Sequence, residues 1–178
     1  MRRKAAPSLQ YAALPYRRRA GGILDVMLIT SRETGRWVIP KGWPVRGLGP
    51  SGSAAHEAKE EAGLAGRVGK RKIGLYRYQK RLADGSVLHL AVETFAFEVE
   101  KQFASWPEQS QRRTRWFSLQ DGADAVQEPE LSAMILGLAA HVIGRQTFDR
   151  QFPRGRGFVF DVVGFADGNE LIRRSHPG

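Results

Sequence analysis

The residues PKGWPVRGLGPSGSAAHEAKEEAGL at positions 40–64 decide how this chain is read. They divide into a Gly- and Pro-rich half, residues 41–53, and an Ala/Glu-rich half, residues 54–62, closed by Gly63. The first half reads as a loop, because its glycines and prolines interrupt regular backbone pairing. The second reads as a helix, with Ser51 or Ser53 available as N-cap and Gly63 as terminator. At about 3.6 residues per turn, Glu57, Glu60 and Glu61 stand at i, i+3 and i+4 and share one face. Like charges so placed repel one another, and something must compensate. A solvated acidic face is the ordinary reading of three helical glutamates, and two features argue against it. Ala55, Ala58 and Ala62 form an adjoining stripe of small side chains that lets the helix approach another element closely. The surrounding chain is basic, so an acidic cluster is out of keeping with it. A hard divalent cation held by a few carboxylates and water, as Mg2+ prefers, is the natural compensation.

The flanking sequence is rich in strand signals. Residues 9–16 are moderately apolar, and residues 23–30 (ILDVMLIT) follow a Gly21-Gly22 turn. Residues 37–39 make a short apolar strand stopped by Pro40. Residues 70–80 and 87–99 read as two longer strands around an Asp84-Gly85 turn, the chemistry a hairpin wants. Residues 115–119 (RWFSL) are a further short strand. Residues 129–143 read as a terminal helix, with Leu131, Met134, Ile135, Leu138 and Val142 on one stripe. Strands before, between and after two helices, without regular alternation, predict an α/β (α+β) fold with a mixed sheet and helices on its faces.

A length of 178 residues argues for one domain with short extensions. The absence of cysteine rules out disulfides, thiolate catalysis and any Cys-ligated metal. No apolar run approaches the ~18 residues a transmembrane helix needs, so no membrane partner is expected. Lys and Arg exceed Asp and Glu by 28 − 18 = +10, which by charge alone favours anionic partners: nucleic acid, phosphorylated metabolites or a membrane surface. Arg2, Arg3, Lys4 and Arg17 to Arg19 precede the first acid, Asp25, with no apolar segment of the secretory kind between them. A cytoplasmic protein is therefore expected. Residues 1–143 read as the domain with its basic lead, and 144–178 as an extension. That extension is either disordered or a strand-like arm, with a strand candidate at 158–165.

The quoted stretch resembles the Nudix box, G-x5-E-x7-R-E-U-x-E-E-x-G-U, where U is a bulky aliphatic residue. Anchored on Gly42, the spacing holds through His56-Glu57-Ala58-Lys59-Glu60-Glu61-Ala62-Gly63-Leu64. Arg36 to Gly42 also resembles the strand and loop that lead into the box. Leu48 stands where the pattern has its first glutamate, His56 where it has its arginine, and Ala58 where a larger aliphatic residue is common. In the family the missing glutamate and arginine pair to steady the loop–helix geometry. Both are gone together here, so neither is left as an unpaired charge. The resemblance implies a Nudix-type α/β/α sandwich.

The same resemblance implies an Mg2+- or Mn2+-dependent hydrolase that cleaves a diphosphate linkage. It assigns Glu57, Glu60 and Glu61 as metal ligands and the Gly42 carbonyl as a fourth contact. Candidate phosphate contacts are Lys41, Arg32 and Arg36, within a basic set that also includes Arg17 to Arg19, Arg46, Lys70 to Lys72 and Lys80-Arg81. Candidate general bases are Glu57, Glu108, Glu93 and Glu98; His56 is a weaker one. Trp43, Tyr76 and Tyr78 are candidates to stack a base, or else core aromatics. Within the family the chain most resembles the branch that handles diphosphoinositol and dinucleoside polyphosphates. Two other readings stand beside this one. Net charge and Arg154-Gly155-Arg156-Gly157 suit an RNA 5′-end pyrophosphohydrolase, although no RNP-type aromatic motif is present. Leu48 and His56 suit a non-catalytic ligand sensor. The G-x-G-x-x-G at residues 47–52 is a coincidence, since no strand directly precedes it and the region near residue 70 is basic. Oligomeric state is not legible.

Overall fold

The computed structural model describes residues 8–151, with side chains through position 144. The alternation of inward and outward residues in its strands explains the architecture. In β1 (Ser8–Arg18), Ala12, Leu14 and Tyr16 face one core while Ala13 faces another. In β2 (Leu24–Thr30), Val26 and Leu28 face the first core and Met27 and Ile29 the second. All seven residues of β2 are buried, as a central strand covered on both faces requires.

The remaining elements are β3 (Trp37–Val38), β4 (Lys41–Gly42), α1 (Pro50–Ala62), β5 (Leu64–Val68), β6 (Gly74–Arg81), β7 (Val87–Gln102), β8 (Thr114–Ser118), α2 (Leu119–Ala125) and α3 (Pro129–Gln151). One sheet takes in all eight strands, with central order β3-β2-β1-β7-β5. β4 pairs with β1, β6 with β7, and β8 with β2. β1 and β7 run parallel; the other pairs are antiparallel, so the sheet is mixed as expected. α1 covers one face through Ala54, Ala58 and Ala62, and α3 covers the other through Leu131, Ile135, Leu138 and Val142. This is the α/β/α sandwich. No helix among the described residues is long and apolar enough to cross a membrane.

Several local expectations change. α1 begins at Pro50, with Gly49 as a cap that offers no side-chain hydrogen bond. Proline suits the first helical position because its missing N–H would be unsatisfied there anyway. Ser53 is instead fully buried and accepts the Val45 N–H at 3.1 Å, tying the loop to the helix. The buried small-residue stripe runs through Ala54 rather than Ala55. Residues 41 and 42 leave the loop to pair with Ala12 and Tyr11 of β1. β5, interrupted by Gly66 at a register shift, was too short a signal to expect. Leu119 opens α2 rather than ending a strand, because Ser118 caps it by accepting the Asp121 N–H at 3.0 Å. α3 continues past Ile143 to Gln151. The strand candidate at 158–165 and the basic residues at 2–4 lie outside the described residues.

Candidate active site

Burial of the alanine stripe fixes the roll of α1, and the glutamates follow from it. Glu61 is 7% exposed and accepts the backbone N–H of Lys41 at 3.0 Å. The short β4 ladder holds that amide, so the helix and β1 position the carboxylate together. Glu57 is half-buried and lies against Gly42: a Cβ at position 42 would overlap its carboxyl. The helix end is equally constrained. Gly63 adopts a left-handed conformation (φ 66°), and its N–H returns to the Lys59 carbonyl at 3.0 Å. A Cβ there would come within 2.6 Å of the Trp106 ring.

Residues 103–113 close over this helix end. The Phe103 N–H donates to the Gly63 carbonyl at 2.8 Å, and the Glu108 N–H to the Glu60 carbonyl at 3.2 Å. Arg112 enters from the same loop with a side chain 7% exposed. Its Nε donates to Glu108 at 2.6 Å, its Nη1 to the Thr30 carbonyl at 3.0 Å, and its Nη2 to Glu61. Nothing in the local sequence distinguished Arg112 from its basic neighbours Arg113 and Arg115. The site reading missed it for that reason.

The result is a cleft of about 570 Å³ that includes Lys41, Gly42, Glu57, Glu61, Glu108 and Arg112. Glu60 is half-buried but does not line it, so two of the three helix glutamates face the cleft. Arg32 lines it with an exposed side chain, 3.5 Å from Glu108. Arg36 lines it too, but is committed to Glu128 at 2.5 Å. Lys80 and Arg81 reach the far rim, with Lys80 2.7 Å from Glu33. Trp43 stands half exposed at the mouth, and Tyr78 lines the wall while donating to Gln10 at 2.9 Å. Tyr76 is core.

Other candidates lie elsewhere. Glu93 pairs with Lys72 at 2.7 Å, and Glu98 pairs with Arg18 and Arg67 at 3.0 Å each, none of them in the cleft lining. Arg17 and Arg19 are engaged by Asp25. His56 and Leu48 do not line the cleft, and Leu48 is 46% exposed.

Burial shifts the charged groups of the cleft. Burial pushes the Glu61 carboxyl up to about 7, against the pull of Arg112 and the Lys41 amide. Burial also raises Glu57, and the charges of Glu108 and Glu60 raise it further. Burial pushes the Lys41 ammonium down to about 8, opposed by Glu61. Among the described residues, no three carboxylate or imidazole groups gather into a ready-made metal cage.

No protein-family model matches the chain. In sequence it is similar to Nudix hydrolase 21, chloroplastic, of Arabidopsis thaliana: 29% identical over 118 residues, 63% of this chain and 55% of that protein. Diphosphoinositol polyphosphate phosphohydrolase 2 of Rattus norvegicus is 30% identical over 104 residues, 58% of this chain and 55% of that protein. The chain thus spans about half the length of these relatives. In structure it is similar to a C. elegans Ap4A hydrolase binary complex, with TM-score 0.59 and 19% identity over 77% of this chain and 98% of that one. The NUDIX domain of Shewanella oneidensis NrtR, complexed with ADP ribose, gives TM-score 0.54 and 15% identity over 80% and 90%. Sequence relatives and solved folds agree with the reading of residues 42–64: the chain is similar to the Nudix hydrolases and has the Nudix fold.

Proposed function

We propose that this protein is a metal-dependent pyrophosphohydrolase that cleaves a diphosphate linkage in a nucleoside or inositol polyphosphate. The observation that carries the reading is the meeting of Glu57, Glu61 and Glu108 with Lys41 and Arg32 in one cleft. The donor set suits Mg2+ or Mn2+, since Mg2+ is usually held by one or two carboxylates and keeps several waters. Glu57 and Glu61 supply those carboxylates, and the burial and repulsion that raise their pKa values are what a cation relieves. By resemblance, the Gly42 carbonyl adds a further contact; Glu60, the third carboxylate the resemblance assigns, stands outside the cleft lining. A bound divalent cation contributes Lewis acidity and screens the charge of the diphosphate.

The chain's own residues do the rest. Arg32 and Lys41 attract and orient phosphate oxygens. Glu57 and Glu108 are the two general-base candidates that line the cleft, and the role we give to one of them is to take a proton from the attacking water. Leu48 and His56 stand outside the lining, so their departure from the box pattern removes no cleft-lining group, and Glu57, Glu61 and Glu108 remain there for an enzyme. The Arg-Gly segment that prompted an RNA reading lies outside the described residues.

Phosphate release should be measured with Mg2+ and Mn2+ on a diphosphoinositol polyphosphate, diadenosine polyphosphates, ADP-ribose, nucleoside triphosphates and 5′-triphosphorylated RNA. Metal-dependent cleavage abolished by Glu61→Gln supports the hydrolase, and the preferred compound names the branch. Ligand binding without turnover on any compound makes the protein a sensor.

A further inference from the structure

The box pattern places an arginine immediately before Glu57, and this chain has His56 there. His56 does not line the cleft. Yet the carboxylates of the site are not loose. Arg112 spends three donor groups on three separate parts of the fold: Glu61 on α1, Glu108 on the closing loop, and the Thr30 carbonyl at the end of β2. Its neighbour locks the same strand end, with Thr30 N–H to Arg113 carbonyl and Arg113 N–H to Thr30 Oγ1, each at 2.9 Å. A planar guanidinium suits this bridging, whereas a lysine ammonium is a point charge on a flexible stem. Glu61 still keeps lone pairs after accepting from Lys41 and Arg112, because an ionised carboxylate offers about four.

We propose that Arg112 is the positioning residue of this site, holding Glu61 and Glu108 together for cation binding. Arg112 acts through these carboxylates; it is not assigned a contact with substrate. The inference rests on the hydrolase reading for its purpose, but its test does not need turnover.

The experiment measures Mn2+ binding by calorimetry, without substrate, on the full chain and on Arg112→Ala and Arg112→Lys. Thermal unfolding of each variant monitors the fold, and Arg112→Lys keeps the charge if the alanine variant does not fold. Loss of an outer-shell partner typically weakens metal affinity about 10–100-fold, and a drop of that size in a folded variant is expected. With saturating Mn2+, the variants should lose kcat with KM little changed. Unchanged Mn2+ affinity in either folded variant overturns the proposal, as does a rise in KM alone, which would make Arg112 a substrate contact. Arg112-dependent Mn2+ binding without wild-type turnover would keep the positioning role and sink only the hydrolase reading. A wild-type chain that binds no Mn2+ overturns both.

Discussion

Gly42 and Glu57 are in such close contact that the carboxyl of one occupies the space a side chain on the other would need. The contact joins β4 to α1 at the centre of the cleft. Gly42→Ala must therefore push Glu57 out of place. Misplacement by about 1 Å can cost ~10²-fold in rate, and a kcat loss of that order is expected. Near-wild-type turnover by a folded Gly42→Ala variant would falsify the role given to Glu57.

Gly63 carries two constraints, a positive φ and the Trp106 ring. Gly63→Ala should cost about 2–3 kcal/mol, from left-handed backbone strain and overpacking combined. Urea unfolding measures this, and Trp106→Ala in the same background should recover the overpacking share. If it recovers nothing, the ring is not the obstacle.

Arg36 is the ion-pair partner of Glu128, whose side chain is 9% exposed and whose Oε2 is buried with no hydrogen-bond partner among the described residues. Arg36→Met leaves that carboxylate buried and alone, at a cost of about 3 kcal/mol. The double variant Arg36→Met/Glu128→Leu should regain most of the loss in chemical unfolding. A purely substrate-binding Arg36 would leave stability unchanged in both.

Tyr78 and Tyr76 set an alkaline limit. Burial pushes the Tyr78 hydroxyl up to about 12 and holds Tyr76 well above its ordinary 10. The folded state therefore keeps protons that the unfolded chain loses from pH 10 upward. Stability from these groups is complete below pH 10 and falls as pH rises through 12. Unfolding free energy followed by circular dichroism should drop across that range, less steeply in Tyr76→Phe. An identical slope in the variant would remove Tyr76 from the account.

Trp43 bears on substrate class. An exposed indole at the cleft mouth is suited to stack a nucleobase, a contact worth about 1–3 kcal/mol. If the substrate is a dinucleoside polyphosphate, Trp43→Ala should raise KM about tenfold while leaving hydrolysis of a diphosphoinositol polyphosphate unchanged. Equal effects on both would deny it that selectivity.

The sequence by itself determined the helix of residues 54–62, its terminator Gly63, the hairpin turn at Asp84-Gly85 and the apolar stripe of the last helix. Each depends on neighbours within a few turns of the same element, where periodicity and backbone preference act. It also determined that Glu57 and Glu61 share a face, since helical geometry alone decides that. Only the tertiary structure decided that Glu60 stands outside the cleft, because the roll of α1 is set by packing Ala54, Ala58 and Ala62 on the sheet. The tertiary structure also decided which distant charges join the site. Glu98 is paired with Arg18 and Arg67 on neighbouring strands and Glu93 with Lys72 in the loop before β6, while Glu108 is carried in by the loop that closes on Gly63. Arg112 is the clearest case: one arginine in a basic run, it is marked out by its bonds to Glu61 on α1 and the Thr30 carbonyl on β2, and no local pattern encodes a meeting of groups so far apart in the chain.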